Sequence, residues 1–281
     1  MKKILVLTDF SDPAWNALFT ALKLHEGRRC HFYLLHTYEP SFAGVLGQKT
    51  KKRVGVLYDS LAEYTERELH KIEDYLGEHH REPGHSFETV SRAEDLVDGI
   101  QKMIREQDID LIVMGTKGAT GAKEVFMGSN AVNVIRKVRN CPILVVPSEH
   151  DFKLLHAVVF PTDFTHHYDP HELKPLIDLA KAWEAKIIVY QVGQEFDLSS
   201  EQIANKALLE KRLEGAVIDF RKGVMQSTIE AAIMDFTEAS DADMIALIHY
   251  QHTFMERLTH EPVIKNIGFH SKLPLLVLPD L

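Results

Sequence analysis

The residues of this 281-residue sequence best suited to chemistry are Gly115, Gly118, Gly121 and Gly128, followed at once by Ser129 and Asn130. They lie between two apolar runs, Leu111–Met114 and Ile143–Val146, the second bounded by Pro142 and Pro147. Such runs are what strands buried on both faces require. After Asn130, the spacing of Val132, Ile135 and Val138 predicts a helix. Strand, glycine-rich loop, helix and strand make an anion site. Glycines let main-chain N–H groups approach a phosphate, and the helix start points its unpaired N–H groups and positive dipole end at the same place. Lys117 and Lys123 either add charge there or are solvated loop lysines.

The preceding residues supply elements to position that loop. Ile4–Leu7 reads as a first strand, and Asp12-Pro13 as an N-cap with proline at the first helical position. His31–His36 reads as a second strand, residues 39–56 as a loop insertion, and Ser60 with Glu63 as a capping box opening a helix that runs to about Gly77. Phe87–Val90 is a short strand, and Leu96, Ile100, Met103 and Ile104 mark a helix leading back to Leu111. Alternating strands and helices predict an α/β fold with a doubly wound, parallel, Rossmann-like sheet.

The pattern then repeats. Leu7-Thr8-Asp9-Phe10-Ser11 matches Pro161-Thr162-Asp163-Phe164-Thr165, and Asp108-Ile109-Asp110 matches Asp241-Ala242-Asp243. Cys141-Pro142-Ile143-Leu144-Val145-Val146-Pro147 matches Leu273-Pro274-Leu275-Leu276-Val277-Leu278-Pro279. Two copies of one domain are expected, 1–149 and 150–281, joined near Ser148–Asp151. The copies part at the glycines: in register, Gly115, Gly118, Gly128 and Ser129 become Ile248, Gln251, Glu261 and Pro262. A glutamate at the helix entrance opposes a phosphate, so the second copy is expected to keep the fold without the phosphate cradle.

Gly115, Gly118, Gly128 and Ser129 fill the pattern G-x2-G-x9-G-[ST], and with the flanking strands they resemble the nucleotide-binding branch of the universal stress protein family, in its tandem form. The resemblance implies ATP in the first copy, with Mg²⁺ on the phosphates. It assigns Asp9 to the nucleoside, the Thr37 backbone to adenine, Met114 and Gly115 to the ribose side, and Gly118, Gly128, Ser129 and Asn130 to the phosphates. It also implies a pseudo-dimer within one chain, paired through Ile143–Val146 and Leu275–Leu278, a further homodimer of two chains, and a regulatory role in the stress response read by a protein partner. From the residues alone, Asp9 either contacts a ligand or forms a helix cap and turn, and both readings stand.

Composition narrows the rest. Hydrophobic content of 45% and charged content of 26% are ordinary for a soluble globular protein. No apolar run approaches the roughly 18 residues of a membrane span, and Ile4–Leu7 is too short for a signal peptide. Cys30 and Cys141 give neither a disulfide framework nor metal-ligand spacing; a cytoplasmic location is expected. A net charge of −9 argues against nucleic acid. Residues 1–149 hold 20 Lys+Arg against 21 Asp+Glu, and the remainder 12 against 20, so the first half better suits a polyanion. No catalytic constellation stands out, and any ATP hydrolysis is expected to be slow. Two other readings remain: a slow ATPase or nucleotidyl transferase, and a nucleotide-free scaffold with a metal or small-molecule site in the second copy. There His166, His167, His171, His249 and His252 either converge on a metal such as zinc or are solvated and interface histidines.

Overall fold

The computed structural model describes residues 1–39, 50–116, 127–193, 197–224, 228–249 and 271–279. The first strand, β1 (Lys2–Leu7), leads into helix α1 (Asp12–Leu24), then β2 (Cys30–Thr37), α2 (Thr50–His79), β3 (His85–Arg92), α3 (Leu96–Gln107), β4 (Leu111–Gly115), α4 (Ser129–Lys137) and β5 (Ile143–Val146). The alternation continues through β6 (Ala157–Thr162), α5 (Pro170–Trp183), β7 (Lys186–Gly193), α6 (Ser200–Arg212), β8 (Val217–Val224), α7 (Ile229–Ala239), β9 (Met244–Ile248) and β10 (Leu275–Leu278).

The ten strands of the described residues form one sheet in the order β3-β2-β1-β4-β5-β10-β9-β6-β7-β8. Every pairing is parallel except β5 with β10, which run antiparallel with Leu144 opposite Leu276. Read inward from its edge, each run of five strands has the same order, and its first strand lies between the second and the fourth. The fold is a doubly wound α/β sheet with a central seam. Ile4–Leu7, Leu111–Met114, Ile143–Val146, Met244–Ile248 and Leu275–Leu278 are all buried. Their unbroken apolar character follows from helices covering both faces.

Two boundaries differ from the sequence reading. The helix expected from Ser60 begins at Thr50, so residues 50–56 are not loop and Ser60 with Glu63 lies inside the helix. A Ser-x-x-Glu spacing also fits an ordinary i,i+3 pair on a helix surface, which is why it misled. Residues 40–49 of the expected insertion fall outside the described residues. At α1 the N-cap is Ser11, with φ −76° and ψ 160°, and Asp12 is already helical.

The repeated residues have repeated structural jobs. Phe10 and Phe164 both take positive φ, 66° and 62°, in the turns after β1 and β6. Asp108 and Asp241 also share a left-handed backbone, at φ 50° and 47°. Asp110 Oδ2 accepts from the Lys3 N–H at 2.8 Å, while Asp243 Oδ2 accepts from His156 and Ala157 at 2.6 and 3.0 Å. Each of these aspartates clasps the start of the central strand of its own run.

Candidate functional site

In open α/β sheets a crevice forms beyond the carboxyl ends of the strands, where connections leave the first strand in opposite directions. That point in the first run lies between β1 and β4. A cleft opens there, lined by Thr8, Asp9 and Ala14 from the β1–α1 side, His36 and Thr37 from β2, Met114, Gly115 and Thr116 from β4, and Gly128, Asn130 and Ala131 at the start of α4. Six of the eight residues singled out from sequence therefore line one cleft: Asp9, Thr37, Met114, Gly115, Gly128 and Asn130. Ser129 is exposed at the first position of α4 beside it. Gly118 lies outside the described residues, as do Gly121, Lys117 and Lys123.

The β1–α1 turn is held by its own side chains. Asp9 Oδ1 accepts from the Ser11 N–H at 3.2 Å and from Ser11 Oγ at 2.5 Å, and Thr8 Oγ1 accepts from the Phe10 N–H at 3.0 Å. Asp9 thus forms an Asx turn, and it also lines the cleft. The turn of the sequence reading is present, but the helix cap is not: the N-cap of α1 is Ser11, with no side-chain cap.

His36 was not apparent from the sequence, although it stands next to Thr37. Its Nδ1–H donates to the Thr8 carbonyl at 2.7 Å, tying β2 to the Asp9 turn, and leaves Nε2 with its lone pair. The ring packs against Phe10, tilted by 34° with centroids 4.4 Å apart. Burial pushes its pKa down, against the opposing pull of the Thr8 carbonyl and of Asp9. Thr116 also escaped notice, because no spacing rule reaches past Gly115.

The helix starts at the cleft are unusual within this chain. No side chain caps α1 or α4. By contrast Asp95 caps α3, Asp169 caps α5, Ser199 caps α6 and Thr228 caps α7. First-turn N–H groups without caps need another acceptor, and Asn130 and Ala131 of that turn line the cleft. The Gly128 N–H is already spent on the Thr116 carbonyl at 2.6 Å. Gly128 therefore offers room for close approach, while its successors offer donors. Gly115 has a packing reason as well: a Cβ there would stand 2.8 Å from the Pro13 carbonyl oxygen.

The histidines of the second run do not assemble a metal centre. Among the described residues, no three His, Cys, Asp or Glu side chains are placed to hold a metal ion. His167 and His171 are exposed, and His166 is half-buried with its Nε2 3.2 Å from the buried Glu172 Oε2. His252 lies outside the described residues. Cys30 and Cys141 are buried, and burial pushes the Cys30 thiol up and that of Cys141 to about 12, so neither is an activated thiol. No helix among the described residues is long and apolar enough to cross a membrane.

Known proteins provide an independent comparison. The profile of the universal stress protein family matches residues 1–147. A universal stress protein of Bacillus subtilis is 27% identical over 150 residues, spanning 51% of this chain and 97% of its own. One from Methanocaldococcus jannaschii is 30% identical over 165 residues, spanning 52% of this chain and 94% of its own. Among solved structures, a universal stress protein from Archaeoglobus fulgidus superposes with a TM-score of 0.70 at 18% identity, covering 99% of this chain and 98% of that one. At that identity the likeness shows the fold alone, and it does so along the whole chain.

Proposed function

The chain belongs to the universal stress protein family, and from that premise we propose that its first half binds ATP and acts as a regulatory element whose occupancy a protein partner reads. The chain is two copies of one domain, 1–149 and 150–281, and the second has given up the phosphate cradle. The observation that carries this reading is the cleft at the β1/β4 switch point, where Asp9, Thr37, Met114, Gly115, Gly128 and Asn130 meet the uncapped start of α4. Free N–H groups, a positive dipole end and a glycine without a side chain suit a phosphate chain. In this reading Asp9 and the Thr37 backbone take the nucleoside, Met114 and Gly115 the ribose side, and Gly118, Gly128, Ser129 and Asn130 the phosphates.

Mg²⁺ accompanies the phosphates and neutralises their charge; the chain's own part is to bind and orient. No positioned base is assigned in the cleft, so the output is occupancy rather than turnover. The reading extends to a cytoplasmic protein whose copies pair through β5 and β10 and which further associates as a homodimer.

The test uses the protein as purified. Denaturation should release ATP at close to one per chain. Gly128→Glu, which copies the residue the second half carries in register, should abolish that retention with the circular dichroism spectrum unchanged. Equal ATP content in the variant would refute the cradle.

A further inference from the structure

A second cavity, of about 620 Å³, opens between α1 and the end of α2 and shares no lining residue with the first cleft. Its size suits a small organic molecule. Phe19, Leu22, Tyr75 and Leu76 form its apolar wall. Leu22 and Leu76 are buried, but Tyr75 is 39% exposed. The Tyr75 ring is nonetheless fixed: Trp15 and Phe19 meet it near edge-on at 5.3 and 5.9 Å, and His79 stacks on it at 4.5 Å.

The polar groups around this wall have their donors turned inward. Asn16 Nδ2 donates to the Pro147 and His150 carbonyls, which leaves Oδ1 as an acceptor. Lys23 Nζ donates to the Phe152 carbonyl and lies 3.7 Å from Asp151, so those two charges offset each other. His79 Nδ1–H donates to the Tyr75 carbonyl at 3.1 Å, leaving Nε2 with its lone pair in the neutral ring. A carbonyl only accepts, so His85 Nε2–H donates to that of His25 at 3.0 Å. His85 Nδ1 then accepts from His80 Nε2–H at 2.8 Å, and His80 Nδ1 is left as an acceptor. Burial pushes the His80 pKa down, with His85 adding to the effect and Glu82 and Glu26 opposing it. Those two carboxylates line the same cavity, with the exposed Arg81 as the opposing charge.

We infer that this cavity binds an organic amine, its apolar body on Phe19 and Tyr75 and its ammonium among Glu26, Glu82 and the Asn16, His79 and His80 acceptors. An ammonium brings three donors and no acceptor, which is what these groups lack. Aromatic faces attract a cation, and carboxylates do so more strongly. A carboxylate ligand would meet two like charges and only the Arg81 guanidinium in its favour. The inference goes beyond nucleotide binding and does not depend on it.

Phenethylamine is the probe, titrated calorimetrically into the full chain, with 3-phenylpropionate as an anion carrying the same ring. One saturable amine site per chain is expected, and no saturable binding of the anion. Glu26→Gln combined with Glu82→Gln keeps the shape and removes both charges, so it should weaken the amine at least tenfold. Tyr75→Ala should weaken it as well, with the circular dichroism spectrum unchanged. Arg81→Gln removes the opposing charge and should tighten it. Gly128→Glu should bind the amine as the parent does. No saturable amine binding, an anion bound as tightly as the amine, or unchanged affinity in the double variant would each overturn the inference. Loss of the amine in Gly128→Glu would overturn it too, by placing the amine in the first cleft.

Discussion

The turns after β1 and β6 are nearly the same in covalent terms and face different surroundings. Each has a threonine accepting from the phenylalanine N–H, an aspartate accepting from the next hydroxyl residue, and a phenylalanine at positive φ. Around the first, α1 starts without a side-chain cap, a glycine ends β4, and a histidine reaches across from β2. Around the second, Asp169 and Glu172 close α5 with a full capping box, Ile248 ends β9, and Gln191 replaces the histidine. The residues that repeat make the turn itself, and the cleft beside the first turn adds residues that do not repeat, among them His36, Gly115 and Gly128.

Gly115→Ile tests that contrast hardest, because it writes the second run's residue into the first. A Cβ at 115 would meet the Pro13 carbonyl oxygen at 2.8 Å and its carbon at 3.1 Å, and both are backbone in the first turn of α1. The helix would have to shift away from β4. Denaturant titration should show a loss of about 3 kcal/mol, together with loss of bound ATP. Ile248→Gly, which empties a site only 1% exposed, should cost about as much and gain no ATP. If Gly115→Ile matches the parent in stability, packing is not what glycine serves there.

Acid should separate the two runs next. α1 ends at His25, which is fully buried; its Nδ1–H donates to the Ala21 carbonyl at 2.9 Å, and its Nε2 has no partner. Burial lowers its pKa to about 3, with Lys2 adding to the effect. α5 instead ends at the exposed Glu184. An unfolded chain takes up the His25 proton below about pH 6.5, whereas the folded one resists it until about 3. The stability is therefore whole above pH 6.5 and drains as pH falls toward 3, on the order of 4 kcal/mol from this residue. Urea titrations at pH 7, 5 and 4 should show a steeper decline for the parent than for His25→Leu. Parallel declines would remove His25 from the account.

The fold was legible because its signals were redundant: apolar runs, proline brackets and the repeat all pointed to doubly wound parallel sheets in two tandem copies, which the structure joins into one sheet. Boundaries were less so, since Ser60 and Glu63 fit a cap and a helix interior equally well. In the site, Asp9, Gly115 and Gly128 carried spacing that could be recognised. His36 and Thr116 did not, as they reach the cleft only through the parallel register of neighbouring strands. That Gly128 spends its N–H on Thr116 is a fact of loop closure, which no pattern of residue types encodes.

The smallest effect concerns how far the two runs act as one. β5 and β10 pair with every residue buried, and beside that seam Trp183 from α5 donates its indole N–H to the Leu24 carbonyl at the end of α1, 3.0 Å away. Lys23 Nζ donates to the Phe152 carbonyl at 3.1 Å, and Asn16 Nδ2 donates to the Pro147 and His150 carbonyls at 3.0 and 2.9 Å, so α1 holds the connecting segment. Trp183→Phe keeps an aromatic ring against Phe152 and removes one hydrogen bond across the joint, a loss of about 1 kcal/mol. A continuous sheet should still melt in a single transition, shifted down by a few degrees and read identically by circular dichroism and by tyrosine fluorescence. Two separated transitions in the variant would mean that the runs are coupled through side-chain clamps of this kind. The antiparallel seam would then not be what unites them, and the difference between the two turns would belong to two folding units rather than one.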